Sequence, residues 1–257
     1  MKRLFIRCSA FLLLATLAAC QSTGNGTVRP TQHVAPNPKA AAINAAAGAE
    51  YIKLGEYKFA LEKLEKALAQ DPNLAEAHNI IAVLYQRLAK MDKSEYHFKQ
   101  AIARAPEYSE AHNNYGVLLC GQGRYSEAEQ HFLSAISDPL YPNPANAYEN
   151  AGLCVDKIPD ATLAEKYFRT ALQLNPYLRK SLFKMADLSY QNIDYVAAKS
   201  YIERYRAVSR WTSRALLLAI KIEHKVGGQD KVASYILLLK GQFPDSDEAR
   251  EVRQGQY

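Results

Sequence analysis

The sequence predicts an all-α fold, a right-handed solenoid of about six helix–turn–helix units. Three observations predict it. Proline falls at positions 72, 106, 176 and 244, so the chain repeats every 34 residues with two extra residues once. Within that period small residues recur at places 8, 20 and 27, and large apolar ones at places 4, 7, 11 and 24. The 48% hydrophobic and 23% charged composition is that of a folded chain and excludes disorder.

The chain opens on an address. Lys2, Arg3 and Arg7 precede an apolar run from Cys8 to Leu17, closed by the small residues of Leu17-Ala18-Ala19-Cys20. Charged start, short apolar centre and small-residue end together read as a secretory signal over 1–19. The apolar run falls short of the roughly 20 residues that span a bilayer. Leu-Ala-Ala-Cys resembles the lipoprotein box of bacteria. The resemblance implies that Cys20 is acylated, becomes the first residue of the mature chain and anchors it to lipid, since several acyl chains hold where one binds marginally. Gln21 follows where an Asp would retain a lipoprotein at the inner membrane, which implies the periplasmic face of the outer membrane of a Gram-negative cell. Half of the net charge of +6 lies in the three cations of this signal, so the remainder gives no support to a nucleic-acid partner. Residues 20–40 are polar and rich in Gly, Ser, Thr and Pro, a flexible tether.

Six repeats follow, over 41–74, 75–108, 109–144, 145–178, 179–212 and 213–246, with a tail over 247–257. Repeat one supplies Gly48, Tyr51, Ala60, Leu64 and Ala67; repeat two His78, Ile81, Ala82, Tyr85, Phe98 and Ala101. Repeat three has Tyr115, Gly116, Leu119, Ala128, Phe132 and Ala135, and holds the two-residue insertion near Pro139-Leu140-Tyr141-Pro142. Repeat four has Tyr148, Ala151, Gly152, Ala164, Phe168 and Ala171. Repeats five and six are looser, with Leu182, Met185, Ala186, Ala198 and Ile202, then Leu216, Ala219, Val232, Ile236 and Leu239. Small residues let paired helices approach, large ones fill the space between units, and Pro stops each second helix. This pattern resembles the tetratricopeptide repeat over 41–246. No such unit buries its own apolar face, so neighbours must stack.

In that family the first helices line a groove. Here the groove places hold Ile52, Asn79, Ile80, Val83, Asn113, Asn114, Val117, Asn150 and Leu153, aliphatic residues mixed with carboxamides. Asn both donates and accepts, which suits an extended peptide backbone; capping or solvating its own helix is the alternative. Repeats one to three carry Ala45, Asn79 and Asn113 where a basic clamp for peptide C-termini needs Lys. Repeat six ends on apolar runs containing Leu216, Leu217 and Leu238, either covered by the tail or presented to a partner.

Catalytic, cofactor and metal motifs are absent: there is no phosphate loop, no H-E-x-x-H, no nucleophile elbow and no C-x-x-C. His78 and His112 are 34 apart, as are His97 and His131, so each pair repeats one framework place rather than converging on a metal. The basic run Lys199, Arg204, Arg206, Arg210 and Arg214 reads as a solvated face, with contact to lipid headgroups or peptidoglycan as the alternative.

Asn113-Asn114-Tyr115-Gly116-Val117-Leu118-Leu119-Cys120 and Asn146-Ala147-Tyr148-Glu149-Asn150-Ala151-Gly152-Leu153-Cys154 resemble the type IV pilus biogenesis lipoproteins, the PilF and PilW family. The resemblance implies a non-enzymatic pilotin, a monomer that binds the outer-membrane secretin of the pilus and promotes its localisation and multimerisation. A scaffold lipoprotein of another envelope machine, or an activator of an envelope enzyme, stays open at this point. Cys120 and Cys154 stand at places 12 and 10 of adjacent first helices, which pack side by side, and export places them in an oxidising compartment, so a disulfide is expected, with two small buried thiols as the alternative.

Overall fold

The computed structural model describes residues 36–158 and 161–257. The signal, Cys20 and most of the tether lie outside the described residues. Among the described residues are thirteen helices: α1 (Pro38–Lys53), α2 (Tyr57–Gln70), α3 (Ala75–Arg87), α4 (Met91–Arg104), α5 (Ser109–Gly121), α6 (Tyr125–Ser137), α7 (Pro144–Val155), α8 (Ala161–Leu174), α9 (Arg179–Gln191), α10 (Tyr195–Val208), α11 (Ser213–Lys225), α12 (Gln229–Gln242) and α13 (Asp247–Arg253). Each odd helix up to α11 packs antiparallel on the even helix that follows, and consecutive odd helices also touch. Six tetratricopeptide repeats result.

The small places work as expected. Gly48, Gly116 and Gly152 face Leu64, Phe132 and Phe168 so closely that a methyl group at any of them would lie within 2.8 Å of the facing side chain. Phe98, Phe132 and Phe168 are fully buried, one per repeat, between the two helices of their own unit and the next. The inter-helix turn repeats its backbone as well. Gly55, Ala89, Gly123, Ile193 and Gly227 occupy place 15 of their units, and all five have positive φ, between 55° and 80°. Three are glycine, which enters that region freely; Ala89 and Ile193 hold it against steric cost because the helix pairing dictates the turn.

The prolines do more than stop helices. The Pro72 carbonyl accepts from His78 Nε2 (3.4 Å) and Arg104 Nε (3.0 Å), Pro106 from His112 Nε2 (2.9 Å), Pro176 from Arg204 Nη2 (3.4 Å) and Pro244 from Arg253 Nη1 (3.0 Å). A side chain of the following unit or of α13 thus pairs with a carbonyl in the turn just past the end of each of these second helices.

Two boundaries differ from the sequence reading. The first helix starts at Pro38, inside the stretch read as tether, because Asn37 caps it through a 3.0 Å bond from Ala40 N and Pro38 suits the first turn. The tail is a helix: Ser246 caps α13, accepting from Ala249 N at 3.1 Å, and Ala249 and Val252 bury against Leu216, Ile220, Val232 and Leu239. Leu216 is therefore fully buried, and Leu217 and Leu238 are half-buried. Of that end, Leu237 is the exposed leucine, at 75%.

Candidate protein-binding face

Odd helices present places 5, 6 and 9 to one face. On it the asparagines form a directed chain. Asn150 Nδ2 donates to Asn113 Oδ1 (3.0 Å), Asn113 Nδ2 to Asn114 Oδ1 (3.4 Å), Asn114 Nδ2 to Asn79 Oδ1 (3.1 Å) and Asn79 Nδ2 to the Tyr108 hydroxyl (3.4 Å). Burial, with the Glu76 charge second, pushes the Tyr108 phenol up to about 12, so it stays a neutral acceptor. The chain links α7, α5 and α3 at one level, tying three repeats by polar contacts that burial strengthens.

This geometry corrects the expected groove. Asn79 and Asn113 are buried, at 4% and 7% exposure, and each spends one N–H and one Oδ1 lone pair within the chain. Ile52 is buried with Leu64, Ile81 and Leu84 and belongs to the core between repeats one and two. Ile80, Val83, Asn114, Asn150 and Leu153 are half-buried, and Val117 is exposed. These six remain able to meet a partner. Asn114 keeps one N–H, and Asn150 keeps its Oδ1 unused among the described residues.

The histidines pair within repeats. His78 Nδ1 lies 3.0 Å from His97 Nδ1, and His112 Nδ1 lies 2.9 Å from His131 Nδ1. Because Nε2 of His78 and His112 donates to a proline carbonyl, their Nδ1 atoms accept, and His97 and His131 donate. One proton per contact keeps both rings neutral. Burial first, and the partner imidazole second, hold His97 and His131 down at about 4. Among the described residues no cluster of three or more His, Cys, Asp or Glu is placed to hold a metal.

Cys120 and Cys154 are joined, with Cα atoms 5.7 Å apart, and link α5 to α7 beside the asparagine chain. Glu149, at a groove place in α7, accepts from Ser181 N (3.0 Å) and Ser181 Oγ (2.8 Å) and is buried by repeat five. The basic run disperses. Lys199 pairs with buried Glu223 at 3.0 Å, and Arg204, Arg206 and Arg214 lie over Tyr201, Trp211 and Phe183.

Sequence reasoning missed a row of hollows along α5, α7, α9 and α11. One of about 520 Å³ is lined by Val117, Cys120, Asn150, Leu153, Lys180 and Lys184 among others. The next, about 400 Å³, shares Leu153, Lys180 and Lys184 with it and adds Arg179, Phe183, Tyr205 and Arg214. A third, about 350 Å³, shares Phe183 and Arg214 and runs on to Leu217 and α13. The readable signal was place 2, where Glu76 and Glu110 give way to Lys180 and Arg214.

The face is thus one of half-buried aliphatics and carboxamides on stacked repeats. The tetratricopeptide repeat family matches residues 48–88, 97–130 and 122–178. The type IV pilus assembly protein PilF of Pseudomonas aeruginosa is 33% identical over 241 residues, covering 94% of this chain and 95% of that one. The chain belongs to the PilF and PilW family of type IV pilus assembly proteins. The solved structure of P. aeruginosa PilF superposes with a TM-score of 0.81 at 33% identity, covering 84% of this chain and 97% of that one. The structure of PilW, described as a widely conserved type IV pilus biogenesis factor, gives 0.74 at 31% identity over 84% and 99%. YrrB, a repeat protein with a peptide-binding site, shares the fold at 16% identity and a TM-score of 0.60, over 74% of this chain and 97% of that one. The PilF and PilW family is a non-enzymatic scaffold family, and this member carries its repeats throughout.

Proposed function

We propose that this protein is an outer-membrane lipoprotein, anchored through Cys20, that acts as the pilotin of a type IV pilus secretin. The observation that carries this reading is the near-full-length similarity to a type IV pilus assembly protein; the Leu-Ala-Ala-Cys box that ends residues 1–20 supports the location. In this reading residues 1–19 are removed, Cys20 is acylated, and the stretch before Pro38 gives the repeats reach from the membrane. The face of α3, α5 and α7 holds an extended segment of the secretin: Ile80, Val83, Val117 and Leu153 bury its side chains, while Asn114 and Asn150 meet its backbone. The buried Asn79 and Asn113 position those two rather than touch the partner.

The test is a deletion strain complemented with variants. Cys20→Ser is expected to leave precursor-sized protein outside the outer-membrane fraction and to deplete secretin multimers. Val83→Ser with Val117→Ser is expected to leave protein in the outer membrane and still deplete the multimers. Processed, outer-membrane protein in the Cys20→Ser strain sinks the anchor; normal multimers with the valine pair replaced sink the face.

A further inference from the structure

The middle hollow, at repeats four to six, has a chemistry that the asparagine face lacks. Its walls are the half-buried Leu153 and Phe183 and the buried Tyr205, and its rim carries Arg179, Lys180, Lys184 and Arg214. Lys184 is neutralised by Asp156 at 2.6 Å. Among the described residues Arg179, Lys180 and Arg214 have no ion-pair partner, and Arg214 lies over the Phe183 ring, 6.0 Å from its centre.

Helix stability does not account for these cations. Arg179 and Lys180 are the first two residues of α9, and Arg214 is the second of α11. A helix N-terminus carries partial positive charge, so a cation there costs stability where an acid adds it. The equivalent residues of α3 and α5 are Glu76 and Glu110, which follow the rule. Among α3, α5, α7, α9 and α11, a cation in the first two positions occurs in the two helices that border the apolar hollow; outside this set Lys39 of α1 and Lys58 of α2 stand at the second position of their helices. Three unpaired cations and two helix N-termini at the edge of a low-dielectric wall concentrate positive potential there.

We propose that this hollow docks an acidic, extended protein segment, with an aromatic or aliphatic side chain against Leu153, Phe183 and Tyr205 and flanking carboxylates on Arg179, Lys180 and Arg214. Shape favours a chain over a compact anion. The hollow is continuous with one neighbour through Leu153, Lys180 and Lys184, a trough running from Val117 to Arg214; beyond Arg214 the next hollow is lined by Asp187, Asp247, Glu248 and Glu251, which bounds the stretch that suits an acidic segment. An isolated phosphate has no use for the apolar wall. The inference stands apart from the lipid anchor and from the identity of the secretin: the hollow shares Leu153 with the asparagine face, but Phe183, Arg179, Lys180 and Arg214, on which the test acts, belong to the hollow.

The test uses the full chain and a fluorescein-labelled peptide of alternating Glu and Phe, with its Lys-and-Phe counterpart as control. The acidic peptide is expected to bind about tenfold or more tightly than the basic one, with affinity falling as salt rises. Arg179→Glu with Lys180→Glu is expected to weaken acidic-peptide binding by about tenfold or more while raising the thermal midpoint, because acids replace cations at a helix start. Arg179→Ser with Lys180→Ser is expected to show a smaller loss of binding in the same direction. Phe183→Ala is expected to weaken both peptides. Equal affinity for the two peptides, unchanged binding in the Glu and Ser pairs, or a lowered midpoint in the Glu pair overturns the proposal. So does full displacement by equimolar inorganic phosphate or glycerol phosphate, which identifies a simple anion or a lipid headgroup as the ligand.

Discussion

At the residue scale, the histidine contacts make folding sensitive to pH. His97 and His131 sit at about 4 in the fold against 6.5 for an unperturbed imidazole. Burial is the larger cause for both. For His97 the charges of His78, Arg104 and Lys93 add to it; for His131 His112 and Arg124 add while Glu127 opposes. A base depressed by folding binds its proton more readily in the unfolded chain. Its contribution is complete above pH 6.5 and is lost as the pH falls from 6.5 towards 4. Glu95 acts lower down: burial pushes it up, but hydrogen bonds from Lys99, Arg124 and Tyr115 outweigh burial and bring it to about 2, so its share is lost only below pH 4.5. The thermal midpoint should hold steady above pH 6.5, then fall between 6.5 and 4.5 on account of the histidines. Replacing His97 and His131 by Gln should flatten that slope. An unchanged slope in the double variant removes the histidines from the explanation.

At the scale of elements, the pairing of helices within a repeat rests on the missing side chain at place 8. A methyl group at Gly116 would lie 2.7 Å from Phe132 Cε1, and one at Gly152 would lie 2.7 Å from Phe168 Cε1. Both rings are fully buried among core side chains. In an open helix Gly→Ala gains about 1 kcal/mol of propensity. Overpacking a filled core costs about 1–3 kcal/mol. The packing term wins in a buried pair, and Gly116→Ala and Gly152→Ala should each lower stability by about 1 kcal/mol in denaturant titrations. A gain in stability from either variant shows that the ring yields. The same accounting explains α13. Its seven residues would not hold a helix alone; Ala249 and Val252 find an apolar surface on α11 and α12 that a terminal repeat cannot leave open.

At the scale of the molecule, a stack of repeats is coupled only through neighbours, so each interface limits how far one end supports the other. The interface between repeats three and four has the most unusual join, because the insertion at 139–142 intervenes and Leu140 is left 87% exposed. There the disulfide Cys120–Cys154 and the Asn150–Asn113 bond cross from α7 to α5. Closing a loop over a separation of 34 residues stabilises by roughly 3–4 kcal/mol on the chain-entropy account. Reduction, or replacing both cysteines by Ala, should lower the denaturant midpoint by a corresponding amount and keep the helical circular dichroism of the folded state. Two reactive thiols from this pair in unreduced, denatured protein would show that the bond does not form.

Much of this protein was legible in the residues alone. The 34-residue period, the small and large places and the prolines determined a stack of helix pairs, because those features act locally and recur often enough to be counted. The membership in a pilus assembly family was readable in the motif around Asn113 and Cys120 for the same reason. What a side chain at a given place touches was not readable. Asn79 and Asn114 belong to different repeats and meet 35 residues apart, and whether a carboxamide faces solvent or another carboxamide depends on how far one repeat turns on the next. Ile52 sits at a groove place yet is buried, and the tail looks polar yet caps repeat six. The hollow lined by Phe183 and its three unpaired cations exists only once α7, α9 and α11 lie side by side. Period and composition set the elements, since each helix is decided within a few turns; the tertiary structure decided the surfaces, since every surface here is assembled from several repeats whose relative rotation no single repeat encodes.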